Sequence, residues 1–439
     1  NPQGSKPGWE PFTASLRIVN WVFYLQAHSD AQTPTIMHSL YLQVLWLEKN
    51  DERHILANHY FENLKVLAFA GAFFSGNDAE RWLKKGIDGL EQQVREQTLT
   101  DGGHYERTPQ YHCLMLENYL DIYNLASNNP ERFEDEFLNL FAEHCLSGLR
   151  FYKSIVFPDN KLPLFNDTAF GISPGLFDLD EYWQSLSGQP GCLQDKPGPI
   201  IALPDSGLFA YRSNADMFII DAGDIGPAYQ PGHTHCDMLS YELMLEGQRL
   251  IVDSGVSEYE PGQMRQYVRS TRAHNTVSID GTEQSEVWGE FRVARRAKIL
   301  GSSIRQHGNE VSFSGAYRGF HTLGGRIEHK RDVELGLSPA GNIDTMIVTD
   351  RVEGRGVHTV ESFIHLHPDT VITEVGQGYL RLGFTGGVVC EIGFAEDVSQ
   401  ALEESYYCPE FGLKVRNTCV VLHKEAVLPA GLSYTVRKL

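Results

Sequence analysis

A chain of 439 residues, 41% hydrophobic and 21% charged, has the composition of an ordinary globular protein and is long enough for two or three domains. A formal net charge of −20 makes sequence-independent nucleic-acid binding and attachment to anionic membranes poor expectations, and no apolar run in the sequence is long enough for membrane insertion. Seven cysteines with no CxxC pair argue against a dense disulfide framework, while one or two bridges stay open. The chain starts at Asn1 without a signal peptide; a periplasmic or secreted location is the expectation, and oligomeric state is not legible.

Taken in order, a turn-rich lead (NPQGSKPGWEPF) runs into an apolar helical segment. From about Thr33 to Arg150 the pattern is helical throughout. MHSLYLQVLWLEKN, ERHILANHYFENLKVLAFAGAFF, DAERWLKKGIDGLEQQVREQ, YHCLMLENYLDIYNLA and ERFEDEFLNLFAEHCLSGLRFYKSIV each carry apolar residues at three- and four-residue spacing. Short connectors between them predict helical hairpins, in a bundle or an α/α toroid. Residues 155–200 are rich in Pro, Gly and Asp and read as an irregular connector. From 207 onward, roughly a dozen apolar runs separated by turn residues predict antiparallel β-sandwich layers. The expectation is an α+β multidomain chain, with a helical domain over 1–200 and a β-sandwich domain over 201–439. A site would form in a cleft between them.

The stretch from Gly232 to Asp280 carries the densest chemistry. His233 and His235 are two apart in GHTHCD, whose flanks alternate like a strand, so both imidazoles are expected on one face. Asp253 ends the next strand-like run, LIVDSG, and His274 precedes NTVSID. Each residue alone reads as a polar strand-end position. Together His235, Asp253 and His274 form a plausible ligand set for Zn²⁺ or another divalent ion. In the helical half, Asn58-His59-Tyr60-Phe61-Glu62 and DGGHYERTPQYH stand out, the latter ending in Tyr111 and His112. RQYVRSTR and EFRVARRAK concentrate basic residues at 265–298; they read either as an anion-binding patch or as a solvated strand face.

The combination NHYFEN, DGGHYERTPQYH, GHTHCD, LIVDSG and RAHNTV resembles the heparinase II/III family of polysaccharide lyases over nearly the whole chain, in the right order. The resemblance implies an N-terminal α/α toroid, a C-terminal antiparallel β-sandwich and β-elimination on uronic-acid-containing polysaccharides. Heparan-type chains are the first choice of substrate, and alginate or another uronate polymer the second. It implies that Asn58 and His59 neutralise the substrate carboxylate, so that the C5 proton becomes removable. Tyr111 matches the family's catalytic tyrosine and His233 a histidine facing the cleft; which of Tyr111, His59 and His233 takes the C5 proton depends on whether that proton is syn or anti to the departing O4. A phenol with an ordinary pKa near ~10 would need lowering to act as a base. Glu62, which is also placed to orient His59, together with His112, Tyr259, Arg269 and Arg272, are candidate substrate contacts. His235, Asp253 and His274 match the ligands of one structural zinc site. Two other readings stay open: a non-catalytic protein that binds or assembles acidic polysaccharides on the same scaffold, and a hydrolase using two of Asp101, Glu106 and Asp167.

Overall fold

A computed structural model describes residues 4–196, 198–324, 326–384 and 387–439. The helices are α1 (Pro11–Ala27), α2 (Pro34–Lys49), α3 (Ala57–Phe73), α4 (Asn77–Gln97), α5 (Pro109–Ser127), α6 (Asp135–Ile155), α7 (Leu176–Ser187) and a short α8 (Gln263–Val268). No helix among the described residues is long and apolar enough to cross a membrane. The chain folds as two compact units that do not follow a single cut near residue 200. One comprises 1–105, 114–149 and 177–193; the other comprises 106–113, 150–176 and 194–439.

The first unit is helical, and a close seam joins α3 to α4. Along α3 apolar and small residues occur on every face, so the helix is buried through most of its length. Gly71 and Gly86 let the backbones meet. A Cβ on Gly71 would stand 2.5 Å from the Leu83 nitrogen, and one on Gly86 would stand 2.6 Å from the Ala68 nitrogen. Helix α4 is amphipathic, with Asp78 and Glu80 in its first turn and Arg95 in its last, the signs that the helix dipole favours.

The second unit is antiparallel β. Strands β1 (Ile200–Leu203), β2 (Leu208–Arg212), β3 (Met217–Asp221), β4 (Tyr241–Leu245) and β5 (Gln248–Ile251) form a five-stranded meander. After it come β6 (Val277–Ile279) and a small hairpin of β7 (Val287–Trp288) and β8 (Arg292–Val293). The remaining strands are β9 (Lys298–His307), β10 (Glu310–Gly319), β11 (Ile327–Leu337), β12 (Ile343–Glu353), β13 (Val357–His365), β14 (Thr370–Gly376), β15 (Tyr379–Phe384), β16 (Val389–Phe394), β17 (Ser399–Tyr407), β18 (Val415–Val427) and β19 (Ala430–Lys438). They form an eight-stranded sheet in the order β14-β15-β16-β19-β12-β11-β10-β9 and a four-stranded sheet in the order β17-β18-β13-β6.

Burial follows this layering. Strands β10 and β11 alternate between core and solvent, as expected of a sheet with one wet face. Strands β3 and β4 are buried at every position, which requires cover on both faces. One apolar core joins side chains of all three large sheets, including Phe218, Tyr241, Val333, Met346, Leu422 and Tyr434. Inside it, Arg331 grips Asp350 at 2.7 and 2.9 Å and donates to the Leu239 carbonyl at 2.7 Å. That bond pins the end of the long β3–β4 connection, which carries GHTHCD. All seven cysteines are buried and free, so no bridge forms.

Candidate active site

The segment holding His233 and His235 is a loop between β3 and β4, not a strand. The two imidazoles converge because they share one acceptor. Nδ1 of His233 lies 3.0 Å from Oδ2 of Asp167, and Nε2 of His235 lies 2.8 Å from Oδ1 of the same carboxylate. The Asp167 backbone N–H also donates to the His233 carbonyl at 3.1 Å. Asn166, in the left-handed region at φ 56°, accepts from the His235 N–H at 3.0 Å and donates its backbone N–H to Asp237 at 3.1 Å. The connector residues Asn166 and Asp167 are thus the organising element of the loop.

Asp167 is fully buried and carries a negative charge because Arg265 sits against it. Arg265 bonds both carboxylate oxygens, through Nη1 to Oδ1 and through Nη2 to Oδ2 at 2.8 Å. Burial alone would raise the carboxyl pKa. The guanidinium and the two imidazoles outweigh burial and hold it well below the ordinary carboxylate range. RQYVRSTR is therefore not a solvated strand face. It spans α8 and the turn after it, and Arg265 and Arg269 are each 1% exposed.

Tyr111, in the first turn of α5, stacks on His233 with ring centroids 3.9 Å apart and an interplanar angle of 23°. Its hydroxyl is 3.3 Å from that of Tyr259. Burial raises the Tyr111 phenol well above its ordinary value, outweighing the lowering from the Tyr259 hydrogen bond and from Arg265. Tyr111 is therefore a neutral phenol near pH 7. Tyr259 completes the group, packed against Phe291 at 5.5 Å and Phe411 at 4.9 Å, with the Arg265 guanidinium 5.1 Å from its ring centroid.

Asn58 and His59 belong to the helical unit, at the start of α3. The two preceding backbone positions, Leu56 and Ala57, have φ of 66° and 53°. Non-glycine residues reach that region only under constraint. The group that orients His59 is Glu52, whose carboxylate is 3.0 Å from Nδ1. The expectation for Glu62 is corrected: its carboxylate accepts from the Asn118 amide at 2.6 Å, inside the helical core.

Three further candidates are also placed elsewhere. His112 is 4% exposed and packs on Phe151 with ring centroids 4.5 Å apart, because it faces inward when Tyr111 faces His233. Arg269 spends its guanidinium on backbone carbonyls, those of Thr234 at 3.3 Å, Gly289 at 2.8 Å and Arg292 at 3.3 Å. Arg272 pairs with Glu403 at the surface. Arg265 and Asp237, which the sequence reading passed over, belong to the centre. The signal for Arg265 was its place in a basic run within an otherwise acidic chain.

Beside this centre lies a buried group with the chemistry of a cation site. His235, Asp237 and His274 each offer a ligand atom, and these atoms lie within 4.8 Å of one another. Nδ1 of His235 and Nε2 of His274 are buried without a hydrogen-bond partner among the described residues. Burial depresses His235 to about 4, so it is the neutral imidazole that binds metals near pH 7. Burial raises Asp237 to about 6. Asp253, expected among the ligands, has Oδ2 at 2.8 Å from Nδ1 of His274. This is the carboxylate–histidine arrangement that supports a ligand through its other nitrogen, and the same separation also suits two ligands sharing one ion. The donor set fits a divalent ion. Asn275, next in the chain, locks the place of His274, donating to the carbonyls of Tyr241 at 2.8 Å and Val252 at 2.9 Å.

This protein belongs to the heparinase II/III family of polysaccharide lyases, whose models match most of its length. The family's N-terminal part matches residues 1–173, and its heparinase II/III-like C-terminal part matches residues 195–431. Among its relatives, a heparin-sulfate lyase of Bacteroides stercoris is 25% identical over 308 residues, covering 63% of this chain and 44% of the relative. One from Pedobacter heparinus is 25% identical over 299 residues, covering 62% and 44%. The chain thus spans less than half the length of the curated relatives it matches. The fold matches a crystal structure of heparinase III with a TM-score of 0.80 at 16% identity, covering 100% of this chain and 70% of the other. It also matches a heparan sulfate lyase from Pedobacter heparinus with a TM-score of 0.70 at 20% identity, covering 98% and 68%.

Proposed function

We propose that this chain carries the catalytic machinery of a polysaccharide lyase acting on uronic-acid-containing glycans, with heparan-sulfate-type chains as first substrate. The observation that carries the reading is the Tyr111–His233 pair, stacked at 3.9 Å with His233 tethered to an ionised Asp167. An ionised acceptor at Nδ1 assigns the proton of a neutral imidazole to that nitrogen and leaves the Nε2 lone pair for the substrate. His233 is then the base for the C5 proton. Tyr111, kept protonated by burial, donates to O4 as the glycosidic bond breaks and the C4–C5 double bond forms. The two residues are separate groups, so each proton has its own carrier.

The C5 proton is acidic enough only if the substrate carboxylate is neutralised as charge builds on it. The family resemblance gives that task to Asn58 and His59, and the Glu52 carboxylate, 3.0 Å from Nδ1, orients the His59 ring. A divalent ion held by His235, His274 and a nearby carboxylate, Asp237 or Asp253, would add cross-links that keep the GHTHCD loop in place. Its role in this reading is structural.

The deciding experiment is an absorbance screen for the unsaturated uronate product, using heparan sulfate, heparin and alginate. Product from one polymer, abolished by His233→Ala in a folded protein, is the expected result. Saccharide binding with no new double bond from any polymer would favour the non-catalytic alternative instead.

A further inference from the structure

The hairpin β7–β8 has an arrangement that the proton chemistry above does not use. It is seven residues long and exposes two large aromatics, Trp288 at 61% and Phe291 at 40%. Isolated exposed aromatics are unremarkable on a protein surface. Here, however, the turn between them is fastened from below by two buried arginines. Arg265 donates to the Glu290 carbonyl through Nε at 3.0 Å and through Nη2 at 2.8 Å. Arg269 donates to the carbonyls of Gly289 and Arg292 on either side of it. Five-donor guanidiniums suit this task, because one side chain satisfies several backbone acceptors in a fixed plane.

The fastening ties the hairpin to the reacting groups. Arg265 is the same side chain that holds Asp167, and Asp167 holds His233. The Phe291 ring meets the His233 ring edge-on at 6.1 Å and the Tyr259 ring at 5.5 Å, and the Arg265 guanidinium lies 5.2 Å from its centroid. An aromatic ring that is half in solvent, rigidly mounted and in contact with the base presents a flat apolar face beside the point of proton removal. The C–H face of a pyranose ring is the complementary surface. A rigid mount lowers the ordering cost of binding.

We propose that the Val287–Val293 hairpin is a saccharide-stacking platform, in which Phe291 holds one sugar ring beside His233 and Trp288 extends the contact to a neighbouring sugar. The inference rests on the lyase reading for the identity of its ligand. Phe291 is a positioning residue. It handles no proton.

The test compares Phe291→Ala, Phe291→Tyr and Trp288→Ala with the wild type, using heparan sulfate and a heparan sulfate tetrasaccharide. Phe291→Ala should raise KM about tenfold, the loss typical of truncating an aromatic anchor, with kcat within about twofold. Phe291→Tyr, which keeps the ring, should restore KM, and Trp288→Ala should raise it less. An unchanged KM, a fall in kcat alone, or no rescue by tyrosine overturns the platform. If no polymer is cleaved, the lyase reading fails separately. Calorimetric titration of the tetrasaccharide into the same proteins then decides: weaker binding to Phe291→Ala upholds the platform, and equal or absent binding overturns it.

Discussion

Asp167 places its two carboxylate oxygens 3.0 Å from Nδ1 of His233 and 2.8 Å from Nε2 of His235, so a single side chain joins the proposed base to the candidate cation site. Arg265 neutralises it from the other side. Every consequence of altering this carboxylate passes through three partners at once.

Replacing Asp167 by alanine strands a fully buried guanidinium. A buried pair broken on one side typically costs about 3–5 kcal/mol, and that loss is expected in chemical denaturation of Asp167→Ala. Asp167→Asn, which keeps the shape but loses the charge, should fold with a smaller penalty and still lose most of the proposed lyase activity. A variant with wild-type stability and wild-type rate would remove Asp167 from the account.

Tyr111→Phe keeps the ring stacked on His233 and deletes only the hydroxyl. Stability should change by less than about 1 kcal/mol, whereas product formation should fall by roughly 10²-fold or more, the usual contribution of a positioned acid. A residual rate near that of the wild type would assign the O4 proton to another group.

The cation site makes a prediction that needs no substrate. The purified protein should contain close to one equivalent of a divalent ion by elemental analysis, and a chelator should lower its thermal midpoint. Asp237→Asn and Asp253→Asn separate the two carboxylates, since a true ligand loses the ion and a supporting partner only weakens it, typically by about 10–100-fold in affinity. Full ion content in both variants would refute the proposed set.

Stability should fall in mild acid through His365. This buried imidazole, bonded to Ser405 and to the Arg272 carbonyl, is depressed to about 4 by burial. The unfolded chain takes up this proton near pH ~6.5, so between that value and about 4 the unfolded state binds more protons than the folded one. The stabilisation is complete above ~6.5 and is lost as pH falls, by roughly 3 kcal/mol over the window. His365→Gln should flatten the pH dependence of the unfolding midpoint; an unchanged slope would contradict this assignment.

Gly86→Ala tests the α3–α4 seam. Its Cβ would stand 2.6 Å from the Ala68 nitrogen, a backbone atom that cannot step aside. Overpacking of this kind costs about 1–3 kcal/mol, measurable in denaturant, despite alanine's better helix propensity.

Much of this was legible before any coordinates. Helical periodicity up to Arg150 and turn-punctuated β runs from 207 specify the α-then-β order, because burying one face of each element imposes a period that survives in the sequence. The residue types of GHTHCD and of the QYH at 110–112 named His233, His235 and Tyr111. Spacing along a chain carries no information about which distant groups meet. The expected strand alternation around His233 is a loop, and its imidazoles converge through Asp167, 66 residues earlier. Arg269 read as a ligand for anions and is a clamp on backbone carbonyls; Glu62 read as the partner of His59, and Glu52 holds that place. The sequence by itself determined the order of elements and the chemical cast. Tertiary structure alone decided the pairings, because a buried charge takes whichever partner the packed chain brings within hydrogen-bond reach.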